Sequence, residues 1–236
     1  MRALLVRVGA DQTADGGSWN APVNLKSGKF VYASIPETSR LHRQMHRPFG
    51  LLKTALARFK AEVPLWLTAR SMHLDPDFSN LTYGDGGSRG KQISNKLGDG
   101  DLIVFYAGLR SDVPRRRLVY ALIGIYVIRR IIPADEVPRR EWDRNAHTRR
   151  YPIPSKQNVV VTAKSRVSGR FERCIPIGCF RRRAYRLAPK FNRAWGGIKI
   201  KGGYLQRSVH LPELNNPEAF YSWIKKQRIR LLRRNN

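Results

Sequence analysis

Cysteine, acidic residues and long apolar runs are all scarce in this chain of 236 residues. Two cysteines, Cys174 and Cys179, are too few for a disulfide framework, and their spacing does not suit a zinc knuckle. The longest apolar run, residues 118–127, is about half as long as a membrane span of roughly 20 residues. The first seven residues include two arginines and are not followed by a small-residue cleavage site. We therefore expect a soluble, cytoplasmic protein with no membrane partner.

Familiar catalytic motifs are missing as well. The sequence has no Walker motif, no GxGxxG after a predicted strand, no GxSxG, no CxxC and no zinc-deaminase signature. It also has no repeat with a period of 20–50 residues and no low-complexity tract. These absences count against the enzyme classes that the motifs define and against repeat architectures.

The charge balance is strongly positive. The chain contains 45 Lys and Arg residues against 17 Asp and Glu residues, a formal net charge of +28. The surplus is uneven, because residues 1–128 carry a net charge of +8 and residues 129–236 a net charge of +20. Such a surplus calls for a polyanion, and we predict that the partner is a nucleic acid, DNA or RNA. A solvated basic face is the alternative.

Patterns of apolar residues predict more strands than helices. Strands are predicted at residues 2–8, 30–35, 102–108, 118–132 and 159–163, and helices at residues 49–59 and about 217–234. The C-terminal helix has Asn216 at its N-cap, Pro217 at its first position and a basic end. Residues 71–91 are predicted to form a long connection, which is typical of a functional loop.

These elements predict an α+β fold in a single domain, residues 1–236. The strands at residues 102–108 and 118–132 follow each other closely and suit an antiparallel pair with a bend at Gly124. The sheet is expected to be mixed and mostly antiparallel, or closed into a small barrel, with flanking helices.

A histidine and several aspartates stand in the predicted loop. His73, Asp75 and Asp77 occupy alternate positions, so their side chains would project to one side of an extended segment. An imidazole and two carboxylates in this arrangement could bind a divalent metal or act as general acid and base. Asp85, in a glycine-rich stretch, could join them. Ordinary turn chemistry is the alternative for each aspartate.

Other polar residues could contact phosphates or bases. Arginine forks onto phosphates, an aromatic ring stacks on bases, and amides read base edges. The candidates are Arg7, Asn20, Arg89, Arg181, Arg182, Arg183, Tyr204, Gln206 and Arg207. Solvated loops and hairpins are the alternative for all of them. His147 could also serve as acid, base or ligand, although we expect a surface position for it.

Several short motifs occur in a fixed order along the chain. They are Arg7-Val-Gly-Ala-Asp11, Gly16-Gly17 with Ala21-Pro22, Ile35-Pro-Glu37, His73-Leu-Asp-Pro-Asp77, Thr82-Tyr-Gly-Asp85, Gly100-Asp-Leu-Ile-Val-Phe-Tyr-Ala-Gly-Leu109 and Tyr204-Leu-Gln-Arg-Ser208. In this order they resemble the third family of nucleotide-modification-associated domains, a prokaryotic and phage group, over residues 2–212. The resemblance implies a role in nucleic-acid modification, with other modification-system proteins as partners. Its polar signature residues would be Asp11, His73, Asp75, Asp77, Asp85 and Arg207.

A shorter stretch resembles another group. Residues 97–128, a Gly-Asp turn followed by two apolar strands, are similar to the core of PUA-like barrels, including the EVE and ASCH groups. Those domains hold a modified or flipped base in an aromatic pocket. The resemblance implies that Tyr106, Tyr126 and Trp142 are candidates for such a pocket, and core positions are the alternative.

Three functional hypotheses follow. In the first, the chain modifies a nucleotide or base of DNA or RNA, with His73, Asp75, Asp77, Asp85 and Asp11 as candidate catalytic residues. In the second, it is a non-catalytic, PUA-like reader of a modified base. In the third, it is a metal-dependent nuclease. A divalent metal, held by His73, Asp75 and Asp77, is the one cofactor that the sequence indicates.

Overall fold

The structure, a computed structural model, describes residues 1–10, 19–112, 118–154, 157–205 and 209–236. Within these ranges the strands are β1 (Ala3–Val8), β2 (Pro22–Val23), β3 (Ile35–Pro36), β4 (Met72–His73), β5 (Thr82–Asp85), β6 (Leu102–Ser111), β7 (Leu118–Pro133), β8 (Val159–Ala163), β9 (Gly169–Pro176), β10 (Gly178–Arg181), β11 (Ala184–Leu187) and β12 (Leu231–Leu232). The α-helices are α1 (Lys53–Ala57), α2 (Leu65–Thr68), α3 (Gly87–Lys96), α4 (Pro189–Trp195) and α5 (Pro217–Lys226). Short 3-10 turns lie at Phe49–Leu52, Ala134–Glu136, Arg139–Arg144 and Lys201–Gly203.

The long strands β6 and β7 form the centre of the main sheet. β1 pairs with β6 in parallel, and β7 pairs with β6 antiparallel. The C-terminal part of β7, residues 128–133, pairs with β8, and β8 pairs with β5. The N-terminal part of β7, residues 121–125, pairs with β9, and β9 pairs with β12. Two small antiparallel pairs, β3 with β4 and β10 with β11, lie apart from this sheet.

Both faces of the main sheet are buried beneath other parts of the chain. Each strand contributes to both, since its alternate residues point to opposite faces. On one face, Val6 and Phe105 pack with Phe78 and the helical turns at residues 49–57. On the other, Leu5 and Val104 pack with α4 and α5, whose residues Trp195 and Trp223 stack 5.8 Å apart. Burial on both sides explains why these strands read as continuous apolar runs.

The fold class is confirmed as α+β, with a mixed and mostly antiparallel sheet and flanking helices. The sheet of the described residues is open, so the alternative of a small barrel is wrong. Cys174 and Cys179 are free thiols. Among the described residues, no helix combines the length and the apolar character that a bilayer span requires.

Several predicted elements differ in extent. The predicted strand at residues 30–35 is paired only at its ends, and the predicted helix at residues 49–59 is a 3-10 turn followed by the short α1. The predicted connection at residues 71–91 contains β4, β5 and the start of α3. The C-terminal helix begins at Pro217 as predicted but ends at Lys226. Arg228 has a φ of 49°, and the chain then turns back to pair with β9.

Candidate functional site

Three buried side chains, His73, Asp75 and His147, converge near the ends of β4 and β5. Oδ2 of Asp75 lies 3.4 Å from Nε2 of His73 and 3.2 Å from Nε2 of His147. The three side chains are 8%, 6% and 7% exposed. Each offers one atom that could bind a metal ion, and these atoms all lie within 4.8 Å of one another. We call these three side chains the His–Asp cluster.

Two strand pairs assemble the surroundings of the cluster. β4 ends at His73 and pairs with β3, so Glu37, the residue after β3, lies beside His73. β5 pairs with β8 in a register that sets Asp85 opposite Val159. Asn158, the residue before β8, therefore lies at the end of β5 where the cluster is found.

Glu37 orients the ring of His73. Its Oε2 lies 2.6 Å from Nδ1 of His73, and its carboxylate is paired with Arg150 at 3.0 Å. It also accepts hydrogen bonds of 2.9 Å from the backbone N–H groups of Thr38 and Ser39. A carboxylate held in this way is ionised and can only accept. Nδ1 of His73 is therefore the donor, and Nε2 faces Asp75.

Asn158 has the corresponding role for His147. Its Oδ1 lies 2.7 Å from Nδ1 of His147. Because an amide oxygen only accepts, Nδ1 of His147 donates and its Nε2 faces Asp75. The backbone N–H of His147 also donates to Oδ1 of Asn145 at 2.9 Å, which fixes the segment that carries the ring.

The two carboxylate oxygens of Asp75 have different surroundings. Oδ1 accepts a hydrogen bond of 2.7 Å from the backbone N–H of Gly84 and one of 3.2 Å from the side chain of Asn145. Oδ2 is buried and receives no hydrogen bond of suitable geometry from any described residue. Oδ1 thus anchors the carboxylate, and Oδ2 is left to face the two imidazoles.

The backbone of Gly84 lies directly against the cluster. A β-carbon at this position would lie 2.4 Å from Cδ2 of His147 and 2.9 Å from Oδ2 of Asp75. Both distances are shorter than van der Waals contact, so only glycine fits here without moving the cluster.

Burial and neighbouring charges act in opposite directions on the pKa values of this region. Burial would raise the pKa of Asp75, but the imidazoles of His147 and His73 outweigh it and the pKa is lowered. Burial would lower the pKa of His73, but the carboxylates of Asp75 and Glu37 outweigh it and the pKa is raised. Burial also opposes the ionisation of Glu37, yet His73 and Arg150 hold the pKa of Glu37 well below its usual range. The site therefore favours ionised carboxylates beside positive charge.

Asp77 lies outside the cluster, although it alternates with two of its members in the sequence. Its side chain is 2% exposed and forms an ion pair of 2.7 Å with Arg149. It also accepts hydrogen bonds of 3.1 Å from the backbone N–H of Ser79 and from the side chain of Asn235. The predicted trio of His73, Asp75 and Asp77 is therefore not brought together. The carboxylate of Asp77 instead accepts hydrogen bonds within its own turn and pairs with Arg149.

Asp85 is also engaged apart from the cluster. Nε of Arg89 lies 2.9 Å from its Oδ2, and the hydroxyl of Tyr83 donates to the same oxygen. Arg89 in turn donates to the Tyr83 hydroxyl at 3.1 Å. Asp85 and Arg89 thus neutralise each other where β5 leads into α3.

Two of the predicted nucleic-acid contacts are buried. Arg7 is 9% exposed, and its guanidinium lies 4.7 Å from the ring centroid of Tyr120. Asn20 is 3% exposed and donates to the carbonyl of Gly108 at 2.9 Å. Both side chains make contacts within the fold rather than at its surface.

Four other predicted contacts lie on one exposed surface. Arg181, Arg182 and Arg183 form the exposed tip of the hairpin of β10 and β11. Arg182 and Arg183 have φ values of 50° and 60°, as a two-residue type I′ turn requires. Tyr204, which is 37% exposed, lies beside the hairpin with the guanidinium of Arg186 3.8 Å from its ring centroid. We call residues 178–187 together with Tyr204 the arginine hairpin.

The remaining predicted site residues fall elsewhere. Asp11, Gln206 and Arg207 lie outside the described residues. Tyr106 and Tyr126 are buried on opposite faces of the main sheet, and Trp142 stacks on His42 at 4.9 Å. The three rings therefore form no common pocket, and the aromatic base pocket implied by the PUA-like resemblance is wrong.

Residues 2–195 match the family model of nucleotide modification associated domain 3. The chain belongs to this family. The resemblance based on motif order is thereby confirmed over residues 2–195, while the motif Tyr204-Leu-Gln-Arg-Ser208 lies beyond the match. The family's name suggests a role in nucleotide modification. The matched range contains the whole His–Asp cluster, Glu37 and Asn158. No curated protein and no solved structure matches the chain.

Sequence reasoning missed part of this site. The expected surface position of His147 is wrong, because the residue is 6% exposed. Glu37 was present in the motif Ile35-Pro-Glu37, but nothing in the sequence connects it to His73. The one signal in the sequence was that Asn145 and His147 are two residues apart, the same spacing as His73 and Asp75.

Proposed function

We propose that this chain takes part in modifying a nucleotide within a nucleic-acid polymer, with the His–Asp cluster as the site of chemistry. The observation that carries the proposal is the convergence of Nε2 of His73, Nε2 of His147 and Oδ2 of Asp75 in a buried position. Buried, convergent ionisable groups are typical of catalytic sites, and two members of this cluster have shifted pKa values, raised for His73 and lowered for Asp75. Membership of the nucleotide modification associated domain 3 family supports a nucleotide as the substrate.

Two features favour a polymer over a free nucleotide. The net charge of +28 far exceeds what one nucleotide would need. The arginine hairpin also suits a polymer, because its tip exposes three consecutive arginines, with an exposed ring at Phe180 next to Arg181 and another at Tyr204 beside Arg186. Phe180 is 65% exposed and Tyr204 is 37% exposed. Guanidinium groups bind phosphates, and exposed rings stack on unpaired bases.

The cluster can supply proton transfer to a bound nucleotide. An imidazole whose far nitrogen is held by a carboxylate or an amide keeps one nitrogen available to accept or donate a proton. His73 and His147 both have this arrangement, through Glu37 and Asn158. Asp75 lies between their Nε2 atoms and stabilises positive charge that develops on either ring.

Nucleoside mass spectrometry tests the proposal. DNA and RNA would be digested from cells that express the wild-type chain, the His147→Ala variant or the His46→Ala variant. His46 is an exposed histidine and serves as the matched control. We expect a nucleoside that is gained or lost with the wild type and with His46→Ala but not with His147→Ala.

Two results would contradict the proposal. Nucleoside profiles that are the same for all three chains would remove the modification activity. Shortened polymers with unchanged nucleosides would indicate a nuclease instead.

A further inference from the structure

We infer that the His–Asp cluster binds one divalent transition-metal ion of the zinc or iron(II) type. The ligands would be Nε2 of His73, Nε2 of His147 and Oδ2 of Asp75. At least one coordination position would remain for water or a substrate atom, and with the ion bound a water there would replace the two imidazoles in proton transfer. The inference rests on the proposed function only for the role of the ion, since binding itself is measured without any substrate.

The first argument comes from the lone pairs of the cluster. Nδ1 of each histidine donates outward, to Glu37 and to Asn158. In a neutral imidazole, Nε2 then carries a lone pair, and both Nε2 atoms lie against Oδ2 of Asp75. Oδ2 itself is buried and has no hydrogen-bond partner among the described residues. With both imidazoles neutral, these three electron-rich atoms repel one another in a buried space. A proton on one imidazole relieves this cost in part, whereas a bound cation satisfies all three atoms at once.

The second argument comes from the distances. Two ligands that each lie about 2.1 Å from a zinc ion at the tetrahedral angle are about 3.4 Å apart. The Asp75 Oδ2 atom lies 3.4 Å and 3.2 Å from the two Nε2 atoms. The carboxylate oxygen is therefore already at ligand spacing from both histidines.

The third argument comes from the contacts around the ligands. Metal-binding histidines almost always donate their other ring N–H to a carboxylate or a carbonyl oxygen, which fixes the tautomer and the ring orientation. Glu37 and Asn158 supply one such acceptor each, at 2.6 Å and 2.7 Å. Asp75 is held through its other oxygen by Gly84 and Asn145. All three ligands are thus oriented before an ion arrives.

The ligand set indicates which ions fit. Imidazole suits zinc and iron, whereas magnesium and calcium take oxygen ligands almost alone. A structural zinc site usually has four protein ligands, and catalytic zinc has three with one open position. Two histidines and one carboxylate are also the ligands of non-haem iron(II) sites. Among the described residues, the cluster contains three ligands, which favours an ion that works on a substrate.

Equilibrium dialysis of the purified full chain, stripped with a chelator, tests the inference. The probes are Zn²⁺ alone and Co²⁺ alone, whose visible absorption reports the coordination, with Mg²⁺ and Ca²⁺ in parallel. Anaerobic Fe²⁺ forms a further arm that distinguishes zinc from iron. We expect one equivalent of a transition ion per chain and no saturable binding of Mg²⁺ or Ca²⁺.

Variants locate the ion. His73→Ala and His147→Ala should each lower the affinity by more than 100-fold, whereas the exposed control His46→Ala should leave it unchanged. Circular dichroism checks folding, and if either variant fails to fold, Asn158→Ala replaces it. Asn158→Ala removes a hydrogen-bond acceptor but no ligand. We expect metal affinity to fall by about 10- to 100-fold, as is usual when the hydrogen-bond partner of a metal ligand is removed.

Two results would overturn the inference. One is the absence of stoichiometric binding by the wild type. The other is binding that survives in both histidine variants. A chain that binds the ion but leaves nucleosides unchanged would keep the metal site and reject the proposed function. If nucleosides change in a way that depends on His147 but the chain binds no ion, the proposed function stands and the metal site is rejected.

Discussion

Nη2 of Arg149 donates to Oδ2 of Asp77 at 2.7 Å, and both side chains are only 2% exposed. The same guanidinium donates to the carbonyl of Asp143 at 2.9 Å and 2.6 Å. Asp77 is one of the aspartates that the sequence marks as catalytic, yet its charge is compensated by a buried partner. The ion pair therefore fixes the local shape next to Asp75 without giving Asp77 any chemistry.

This relationship predicts a large loss of stability for Arg149→Ala. Removing the guanidinium leaves a buried, unpaired carboxylate, which should lower the free energy of unfolding by about 3–5 kcal/mol. Urea denaturation followed by circular dichroism measures the change. The control is Arg140→Ala, since Arg140 is 85% exposed and 4.0 Å from Glu141, and it should cost less than about 1 kcal/mol. Equal losses would show that the Asp77 pair does not stabilise the fold.

Gly84 gives a prediction about space. In Gly84→Ala, the new methyl group would meet His147 at 2.4 Å and Asp75 at 2.9 Å, so the cluster must move apart. We expect metal binding to fall by at least 10-fold with the circular dichroism spectrum retained. Gly50→Ala is the matched control, because a β-carbon there meets nothing within 4 Å. Unchanged metal affinity in Gly84→Ala would place the ion elsewhere.

Asn158 gives a prediction about orientation. In Asn158→Ala, His147 loses the acceptor of its Nδ1 proton, so its ring is no longer held with Nε2 toward Asp75. Metal affinity should fall by about 10- to 100-fold, as measured by dialysis. Asn95→Ala, at an exposed position of α3, provides the control. If the two variants bind the ion equally well, the orienting role of Asn158 is wrong.

The arginine hairpin gives a prediction about nucleic-acid binding. Arg182→Asn combined with Arg183→Gly removes two positive charges, and Asn-Gly is the preferred sequence for this type I′ turn, so the hairpin should persist. We expect weaker binding to DNA and RNA oligonucleotides and a salt dependence whose slope falls by up to about 2. Fluorescence anisotropy at several salt concentrations measures both quantities.

The control for the hairpin variant removes the same charge elsewhere. Arg129→Gln combined with Arg130→Gln alters two exposed arginines of β7. This variant should keep the wild-type slope if the hairpin is the contact. Equal slopes in all three chains would show that neither pair of arginines touches phosphates.

The central strands could be predicted from the sequence, and the elements around the site could not. β1, β6 and β7 are strongly apolar because both faces of the sheet are covered. α3 lay partly inside a predicted loop, because glycines are ordinary loop signals. Gly90 has another purpose, since a β-carbon there would lie 2.8 Å from the carbonyl oxygens of Asp85 and Gln157. It allows the helix to approach β5 closely.

The site shows the same division between local and distant relationships. His73 and Asp75 could be found together because they are only two residues apart in the sequence. The segment is not extended as predicted, since the N–H of Asp75 donates to the carbonyl of His73 at 2.8 Å in a tight turn. The same alternation wrongly included Asp77, whose backbone enters a turn that closes against Thr82. His147 and Glu37 join the cluster through the pairing of distant strands and segments, for which a single sequence contains no pattern.

Anomalous diffraction from crystals grown with Zn²⁺ tests the central claim most directly, because it locates the ion relative to named atoms. Data collected on both sides of the zinc absorption edge should give one strong peak about 2 Å from Nε2 of His73, Nε2 of His147 and Oδ2 of Asp75. The same measurement on His147→Ala should show no peak there. A wild-type map with no peak between these three atoms would contradict the account.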